Sequence, residues 1–106
     1  MPLESPGTAE RAATDNAESG LWQVVLIDDD QHTYDYVIEM LMEVCGHPME
    51  LAFQMACDVD VHKRVVVDVT SKEAASEKCR RISSFGPDWR MKRSRRSMQS
   101  VMEPLD

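Results

Sequence analysis

The feature that most constrains the fold of this chain is a short apolar run, LWQVVLI at residues 21–27, which ends in three consecutive aspartates. The run is rich in β-branched residues and contains Trp22, a composition that is typical of strands. Its pattern stops abruptly at Asp28, Asp29 and Asp30. The sequence therefore predicts a first strand that ends in an acidic loop.

Periodic apolar positions predict three helices after this strand. Thr33 can cap the first helix, and Gly46 follows its end. Pro48 suits the first turn of a short second helix. Thr70 with Glu73 has the pattern of a capping box that opens a third helix. The buried stripe predicted on the third helix is Ala75, Cys79 and Ile82. The apolar positions at helical spacing on the first two helices are Val37, Ile38, Leu41, Val44 and Cys45, followed by Leu51, Ala52, Met55 and Ala56.

Two further segments complete the predicted core. The β-branched residues within 61–69 predict a second strand, and a final strand is expected around residues 98–102. The order βααβαβ indicates an α+β fold with helices packed on one small sheet. Residues 1–20 have almost no large apolar side chain, so we expect a disordered extension before a single core of residues 21–106.

Length and composition exclude several classes of protein. A chain of 106 residues supports one compact domain. Its three cysteines are widely spaced and odd in number, which argues against a disulfide framework and favours a reducing compartment. The sequence shows no apolar run typical of a signal peptide or of a membrane span, so we expect a cytoplasmic protein.

Charge is divided unevenly along the chain. The formal net charge is −7, yet residues 1–60 carry 13 acidic residues and one basic residue, whereas residues 61–106 carry 11 basic and six acidic residues. The acidic half could attract a cation such as a peptide amine. The basic half could meet an acidic partner surface or a phosphate backbone.

Two segments of the chain resemble the ClpS family of protease adaptors. VVLIDDDQHTYDYVIEML is similar to the family's strand that runs into Asn-Asp-Asp and is followed by a turn and an amphipathic helix. At an ungapped spacing, VDVHKRVVVDVTSKEAASEK is similar to the family's Val-His segment, second strand and third helix. The resemblance covers residues 22–84. It implies a ClpS-like sandwich with a three-stranded antiparallel sheet.

The same resemblance implies a function without catalysis and without a cofactor. Such an adaptor captures the free α-amine and bulky hydrophobic first side chain of an N-degron substrate and delivers it to a Clp-type AAA+ unfoldase. By position, Asp28 replaces the family's Asn, and Asp60 replaces its amine-binding His. Tyr34 stands where the pocket commonly has Met, and Ala56 stands where a gating Met often narrows the pocket. The implied substrate-binding residues are Asp28, Asp29, Asp30, His32, Tyr34, Val37, Ala56, Val59 and Asp60, and the implied chaperone-binding residues are Glu73 and Lys78.

The chemistry of these side chains agrees with that role. An α-amine is a cation that donates up to three hydrogen bonds, so it needs acceptors. Asp28 and Asp60 can accept, while Val37, Ala56 and Val59 would form an apolar recess for the attached side chain. Two carboxylates in place of Asn and His should make recognition of the amine more sensitive to salt.

Other site chemistries fit the sequence less well. A response-regulator receiver would need a further phosphoacceptor Asp and a Lys at later strand ends, in a longer chain. A divalent metal at the aspartates would need further ligands at suitable spacing. His32, His47 and His62 lack paired ligand spacing and are interpreted as surface or loop residues. No third catalytic group can be placed beside Cys57, so we assign no catalytic residue.

A basic run, RMKRSRR at residues 90–96, supports a function of a different class. A ClpS-fold module could bind RNA or the ribosome through this run, because phosphate contacts require clustered Lys and Arg. The other interpretation is an edge strand whose charges prevent edge pairing. We favour the edge strand and expect no nucleic-acid partner, because the run has little aromatic interleaving beyond Trp89 and the whole chain is acidic.

Overall fold

The computed structural model describes residues 20–105, so the predicted extension of residues 1–20 lies outside the described residues except for Gly20. The elements in chain order are β1 (Leu21–Ile27), α1 (Tyr34–Cys45), α2 (Met49–His62), β2 (Arg64–Ser71), α3 (Lys72–Ser83) and β3 (Gln99–Pro104). The strands form one antiparallel sheet in the order β2, β1, β3. The predicted α+β fold with the order βααβαβ is confirmed.

The central strand β1 is buried on both faces of the sheet. Val24 and Leu26 belong to the core between the sheet and the helices. Successive strand residues point to opposite faces, so Val25 lies on the other face, where its register partners are Val66 and Val101. Burial on both faces explains why the sequence of β1 is a continuous apolar run.

Helix α1 begins and ends where the sequence predicts. The Thr33 hydroxyl accepts a hydrogen bond of 3.1 Å from the Tyr36 N–H. Gly46 ends the helix with φ of 73°, and its N–H donates to the carbonyl of Met42. A residue in the left-handed region is favourable for glycine, so both caps of α1 follow directly from local sequence.

Helix α2 is longer than predicted, and the predicted start of the second strand at Val61 is wrong. The helix continues to His62, and Lys63 ends it with φ of 74° and a 2.9 Å hydrogen bond from its N–H to the carbonyl of Val59. β-branched residues suggested a strand here. As part of the helix, Val59 is buried in the core, so tertiary packing outweighs the local preference of β-branched residues for a strand.

The predicted capping box of the third helix is also wrong. Thr70 lies within β2, and the N-cap of α3 is Ser71, whose hydroxyl accepts a 3.1 Å hydrogen bond from the Ala74 N–H. The predicted buried positions Ala75 and Ile82 are confirmed. No helix within residues 20–105 combines the length and the apolar character needed to span a bilayer.

The third strand is confirmed, although it begins at Gln99 and continues to Pro104. The basic run of residues 90–96 precedes it in an irregular loop, so the interpretation of this run as an edge strand is wrong. Tight turns interrupt the run: the Met91 N–H donates to the carbonyl of Asp88, and the Ser94 N–H donates to the carbonyl of Met91, each at 3.1 Å. We call Trp89–Arg96 the basic loop.

Candidate functional site

The fold brings the end of β1 and the end of α2 to one corner of the molecule. Asp28 follows β1, and its N–H donates a 3.0 Å hydrogen bond to the carbonyl of Lys63. Lys63 in turn caps α2, whose last turns carry Val59 and Asp60. The corner therefore contains the two carboxylates that the sequence predicts as acceptors for an amine.

Tyr34 lies across this corner from the start of α1. Its hydroxyl donates a 2.6 Å hydrogen bond to Asp60 Oδ2. This hydrogen bond, together with partial desolvation and the negative charges of Asp60 and Asp28, raises the pKa of Tyr34 to about 12. The Tyr34 ring also meets Phe53 of α2 edge to face, with the ring centroids 6.4 Å apart. The sequence assigned Tyr34 to the site but predicted neither contact.

A lysine stands beside the other carboxylate. Lys63 Nζ lies 3.6 Å from Asp28 Oδ2, and the Lys63 side chain is 73% exposed. An exposed ion pair of this length holds its lysine loosely. Sequence reasoning missed Lys63, because its partner Asp28 lies far from it in the chain and no local pattern connects the two residues. Asp28 is thus already in contact with an exchangeable ammonium.

The predicted pocket residues Val37, Ala56 and Val59 lie together in the hydrophobic core. Their exposed fractions are 4%, 1% and 2%. The structure therefore brings these three residues together but closes them to solvent. Their role in binding a side chain stays a prediction.

The second and third aspartates of the acidic loop have contacts of a different kind. Asp29 Oδ1 accepts a 2.9 Å hydrogen bond from the Gln31 N–H and lies 2.7 Å from His32 Nδ1. The backbone carbonyl of Asp30 accepts two hydrogen bonds, of 2.9 and 2.6 Å, from the Arg93 guanidinium. These contacts shape the loop and hold it against the basic loop.

His32 connects the same two loops. Its Nε2 lies 2.7 Å from the carbonyl of Arg96, and its ring centroid lies 4.5 Å from that of Tyr36. His32 is a loop residue, as predicted, but its side chain is only 1% exposed. A buried imidazole that contacts Asp29 and Arg96 stabilises the loop that leads from Asp28 into α1.

Asp88 anchors the basic loop to the N-terminus of α1. Its Oδ2 accepts hydrogen bonds from Thr33, and its Oδ1 accepts hydrogen bonds from the backbone N–H and the guanidinium of Arg90. Burial of the carboxylate acts to raise its pKa, but the hydrogen bonds from Thr33 and Arg90 outweigh burial and lower the pKa to about 2. A negative charge is also favourable at a helix N-terminus. Sequence reasoning missed Asp88, because a single aspartate after Gly-Pro gives no signal of burial.

The two residues predicted to meet a chaperone lie on α3, outside the corner. Glu73 is exposed in the first turn of the helix. Lys78 forms a salt bridge with Asp68 of β2, and both side chains are mostly buried. Lys78 therefore also has a structural role between α3 and the sheet.

The described residues contain no group of three His, Cys, Asp or Glu side chains that could hold a metal ion. Cys45, Cys57 and Cys79 are all free thiols. Burial raises the pKa of the Cys45 thiol to about 11. A thiol with such a pKa is a poor nucleophile at neutral pH.

The family model, the curated relatives and the solved structure that match this chain agree with one another. The family described as ATP-dependent Clp protease adaptor protein ClpS matches residues 17–88. The ATP-dependent Clp protease adapter protein ClpS of Campylobacter jejuni, found in four strains, is 27% identical over 77 residues, which are 73% of this chain and 80% of that protein. The structure of Agrobacterium tumefaciens ClpS2 bound to L-phenylalaninamide has the same fold, with a TM-score of 0.69, 18% identity, and coverage of 80% of this chain and 96% of that chain.

Proposed function

This chain belongs to the ClpS family of ATP-dependent Clp protease adaptors, and we propose that it binds N-degron substrates and delivers them to a Clp-type AAA+ protease. The family is one of adaptors rather than proteases, so the proposed role is not catalytic. The ligand of the Agrobacterium relative, L-phenylalaninamide, combines a free α-amine with a bulky apolar side chain. A substrate that begins with such a residue presents the same two groups.

The observation that carries this proposal is that each carboxylate of the corner already faces a polar group that a ligand could displace. Asp60 accepts the hydroxyl of Tyr34, and Asp28 lies beside the ammonium of Lys63. A substrate amine carries one positive charge and three N–H donors, which are enough donors to serve both carboxylates. Its ammonium adds attraction between opposite charges to the hydrogen bond, whereas the Tyr34 hydroxyl that it displaces is an uncharged donor to the same carboxylate.

The apolar half of the site opens by side-chain motion. Residues three or four apart share a helix face, so Tyr34 lies beside Val37 on α1, and Phe53 lies beside Ala56 on α2. Tyr34 and Phe53 are 40% and 51% exposed, so little packing opposes their rotation. In the proposed bound state these two rings move aside and line the recess over Val37 and Ala56.

Peptides that differ only at the first residue test the proposal. Labelled peptides beginning with Leu, Phe, Tyr or Trp should bind in fluorescence anisotropy, and added salt should weaken the binding. N-acetylation should abolish binding, because it removes the charge and two of the donors. A peptide beginning with Gly is the control for the apolar recess. Equal affinity for the free and acetylated peptides would contradict the proposal.

Delivery is a separate step with its own measurement. We assign docking on the unfoldase to the surface around Glu73, and engagement by the unfoldase to residues 1–20. A chain that starts at Leu21 should still bind peptides, yet fail to promote degradation in a reconstituted assay. Glu73→Ala should likewise reduce degradation without changing peptide affinity.

A further inference from the structure

Trp89, at the start of the basic loop, is the most exposed large hydrophobic side chain of residues 20–105. It is 82% exposed. The guanidinium of Arg90 lies over its ring, 4.6 Å from the centroid. One face of the indole is therefore covered by a cation, and the high exposure leaves the other face open to a ligand.

The guanidinium that covers one face of Trp89 is held firmly in place. Arg90 donates a 2.6 Å hydrogen bond to Glu39 Oε2 and a 3.1 Å hydrogen bond to Asp88 Oδ1, and its own N–H also donates to Asp88 at 3.0 Å. Asp88 is in turn buried. Because the guanidinium is held from two sides, Trp89 rests on an ordered support. Aromatic rings in such a position stack well on planar groups.

Three cations of the same loop have no carboxylate partner among residues 20–105. Within residues 20–105, Lys92, Arg95 and Arg96 form no salt bridge, and all three are exposed. Arg93 differs, because it donates to the Asp30 carbonyl and so fixes the loop. The loop therefore presents three positive charges beside an open aromatic face.

A cleft lies next to the last of these cations. It has a volume of about 280 Å³ and is lined by Ser83, Arg96 and residues 97–100. Its walls carry serine hydroxyls and a guanidinium, which are groups that hydrogen-bond to phosphate oxygens. The cleft can take a phosphate of a strand that passes along the basic loop.

We propose that the basic loop is a binding site for single-stranded nucleic acid, with a base stacked on Trp89 and phosphates held by Lys92, Arg95 and Arg96. The acidic net charge of the chain is partly offset near the loop, because Asp88 and Glu39 both form salt bridges with Arg90. The exposed Asp30 adjoins the loop through its backbone carbonyl, which accepts from Arg93. A single strand fits better than a duplex, since its bases are free to stack. One aromatic ring predicts weak binding that tolerates many sequences.

The proposal does not depend on peptide binding and is tested with the full chain and a fluorescein-labelled oligouridine. Anisotropy at low salt should show saturable binding, and log K should fall with log salt with a slope of about −2, as expected for three phosphate contacts on a single strand. Replacing Lys92, Arg95 and Arg96 together by Gln should reduce affinity at least about tenfold and flatten the salt dependence. A matched variant with Arg64, Lys72 and Arg80 changed to Gln loses the same charge elsewhere and should bind within about twofold of the unmodified chain.

Variants of Trp89 distinguish the binding of nucleic acid from the binding of other polyanions. Trp89→Ala should weaken oligouridine binding by about fivefold to a hundredfold, whereas Trp89→Phe should keep most of the affinity. Polyglutamate of similar length should bind far more weakly and should not respond to Trp89→Ala. The proposal is overturned if oligouridine does not bind at low salt. It is equally overturned if polyglutamate binds as well as oligouridine, or if the matched control loses as much affinity as the loop variant.

Discussion

Asp88 Oδ2 accepts two hydrogen bonds of 2.7 Å from Thr33, one from the backbone N–H and one from the hydroxyl. Thr33 is also the N-cap of α1, so one side chain closes the helix and holds the loop that precedes β3. Two segments far apart in the chain thus share a single buried carboxylate.

Asp88→Asn should destabilise the fold by about 2 to 3 kcal/mol at neutral pH, because an amide cannot accept all of these hydrogen bonds and carries no charge. The pKa of Asp88 is lowered in the folded state to about 2, so its contribution is complete above the usual carboxylate range and is lost as the pH falls from about 4 to 2. Urea unfolding at several pH values measures both effects. Asp35→Asn, an exposed change in the first turn of α1, should cost less than about 0.5 kcal/mol. If Asp88→Asn loses as much stability between about pH 4 and 2 as the unmodified chain does, the acid sensitivity does not come from Asp88 and the prediction is contradicted.

The two corner carboxylates should matter more for peptide binding than their neighbour Asp58. Asp28→Ala or Asp60→Ala should weaken binding of a peptide with a free amine by about 1.5 to 3 kcal/mol, the scale of a hydrogen bond to a charged group. Asp58 accepts from Gln54 on the same helix, so Asp58→Ala should change affinity little. Anisotropy titrations of the three variants give the comparison. Three equal losses would mean that the resemblance assigns the wrong acceptors.

Tyr34→Phe should strengthen peptide binding. The hydroxyl of Tyr34 competes with the substrate amine for Asp60, and its removal leaves the carboxylate ready to accept. We expect affinity to rise about threefold or more, the range of one net hydrogen bond. Isothermal titration calorimetry with a Phe-initiated peptide measures the change. Weaker binding by the variant would instead show that the hydroxyl contacts the substrate.

The proton of Tyr34 reports the same hydrogen bond in the absence of ligand. Because Asp60 accepts from the hydroxyl, the pKa of Tyr34 is raised to about 12. The contribution of this hydrogen bond to the stability of the fold is therefore complete below pH 10 and is lost as the pH rises through 12. In Asp60→Asn the pKa should return toward 10, as followed by carbon NMR of the tyrosine rings. Tyr36, whose pKa is raised mainly by burial, is the internal control and should not respond.

Ala56→Met tests whether Ala56 faces the substrate. Ala56 is 1% exposed in the core, so a larger side chain should cost about 1 to 3 kcal/mol of stability. If the residue lines the recess, the variant should also lose affinity for Trp-initiated peptides more than for Leu-initiated ones. Thermal unfolding and a peptide series measure the two effects. Reduced stability with an unchanged peptide profile would place Ala56 in the core alone.

Local sequence signals predicted those elements whose ends are set by a single residue. The bounds of β1 follow from the acidic residues after Ile27, and the bounds of α1 follow from Thr33 and Gly46. The end of α2 could not be predicted, because Lys63 takes the left-handed conformation without the glycine that usually marks it. The irregular path of the basic loop depends on Asp88, whose burial is a tertiary property.

The candidate site was predictable in its composition but not in its contacts. The resemblance to the family assigned Asp28 and Asp60, and the structure places both at one corner. The hydrogen bond from Tyr34 to Asp60 connects side chains of two different helices, and no pattern in the sequence predicts such a contact. The closure of Val37, Ala56 and Val59 likewise depends on how α1 packs against α2.

The sheet order gives the molecule a particular weakness during synthesis. Among the strands of residues 20–105, β1 is synthesised first, yet one of its two neighbours is Gln99–Pro104, which is synthesised last. Until that strand arrives, one edge of the apolar run LWQVVLI has no ladder partner, and an open apolar edge recruits strands from other chains. A chain that stops before Gln99 would leave this edge of β1 open and should therefore be prone to aggregate, so that β3 protects the central strand as well as completing the sheet.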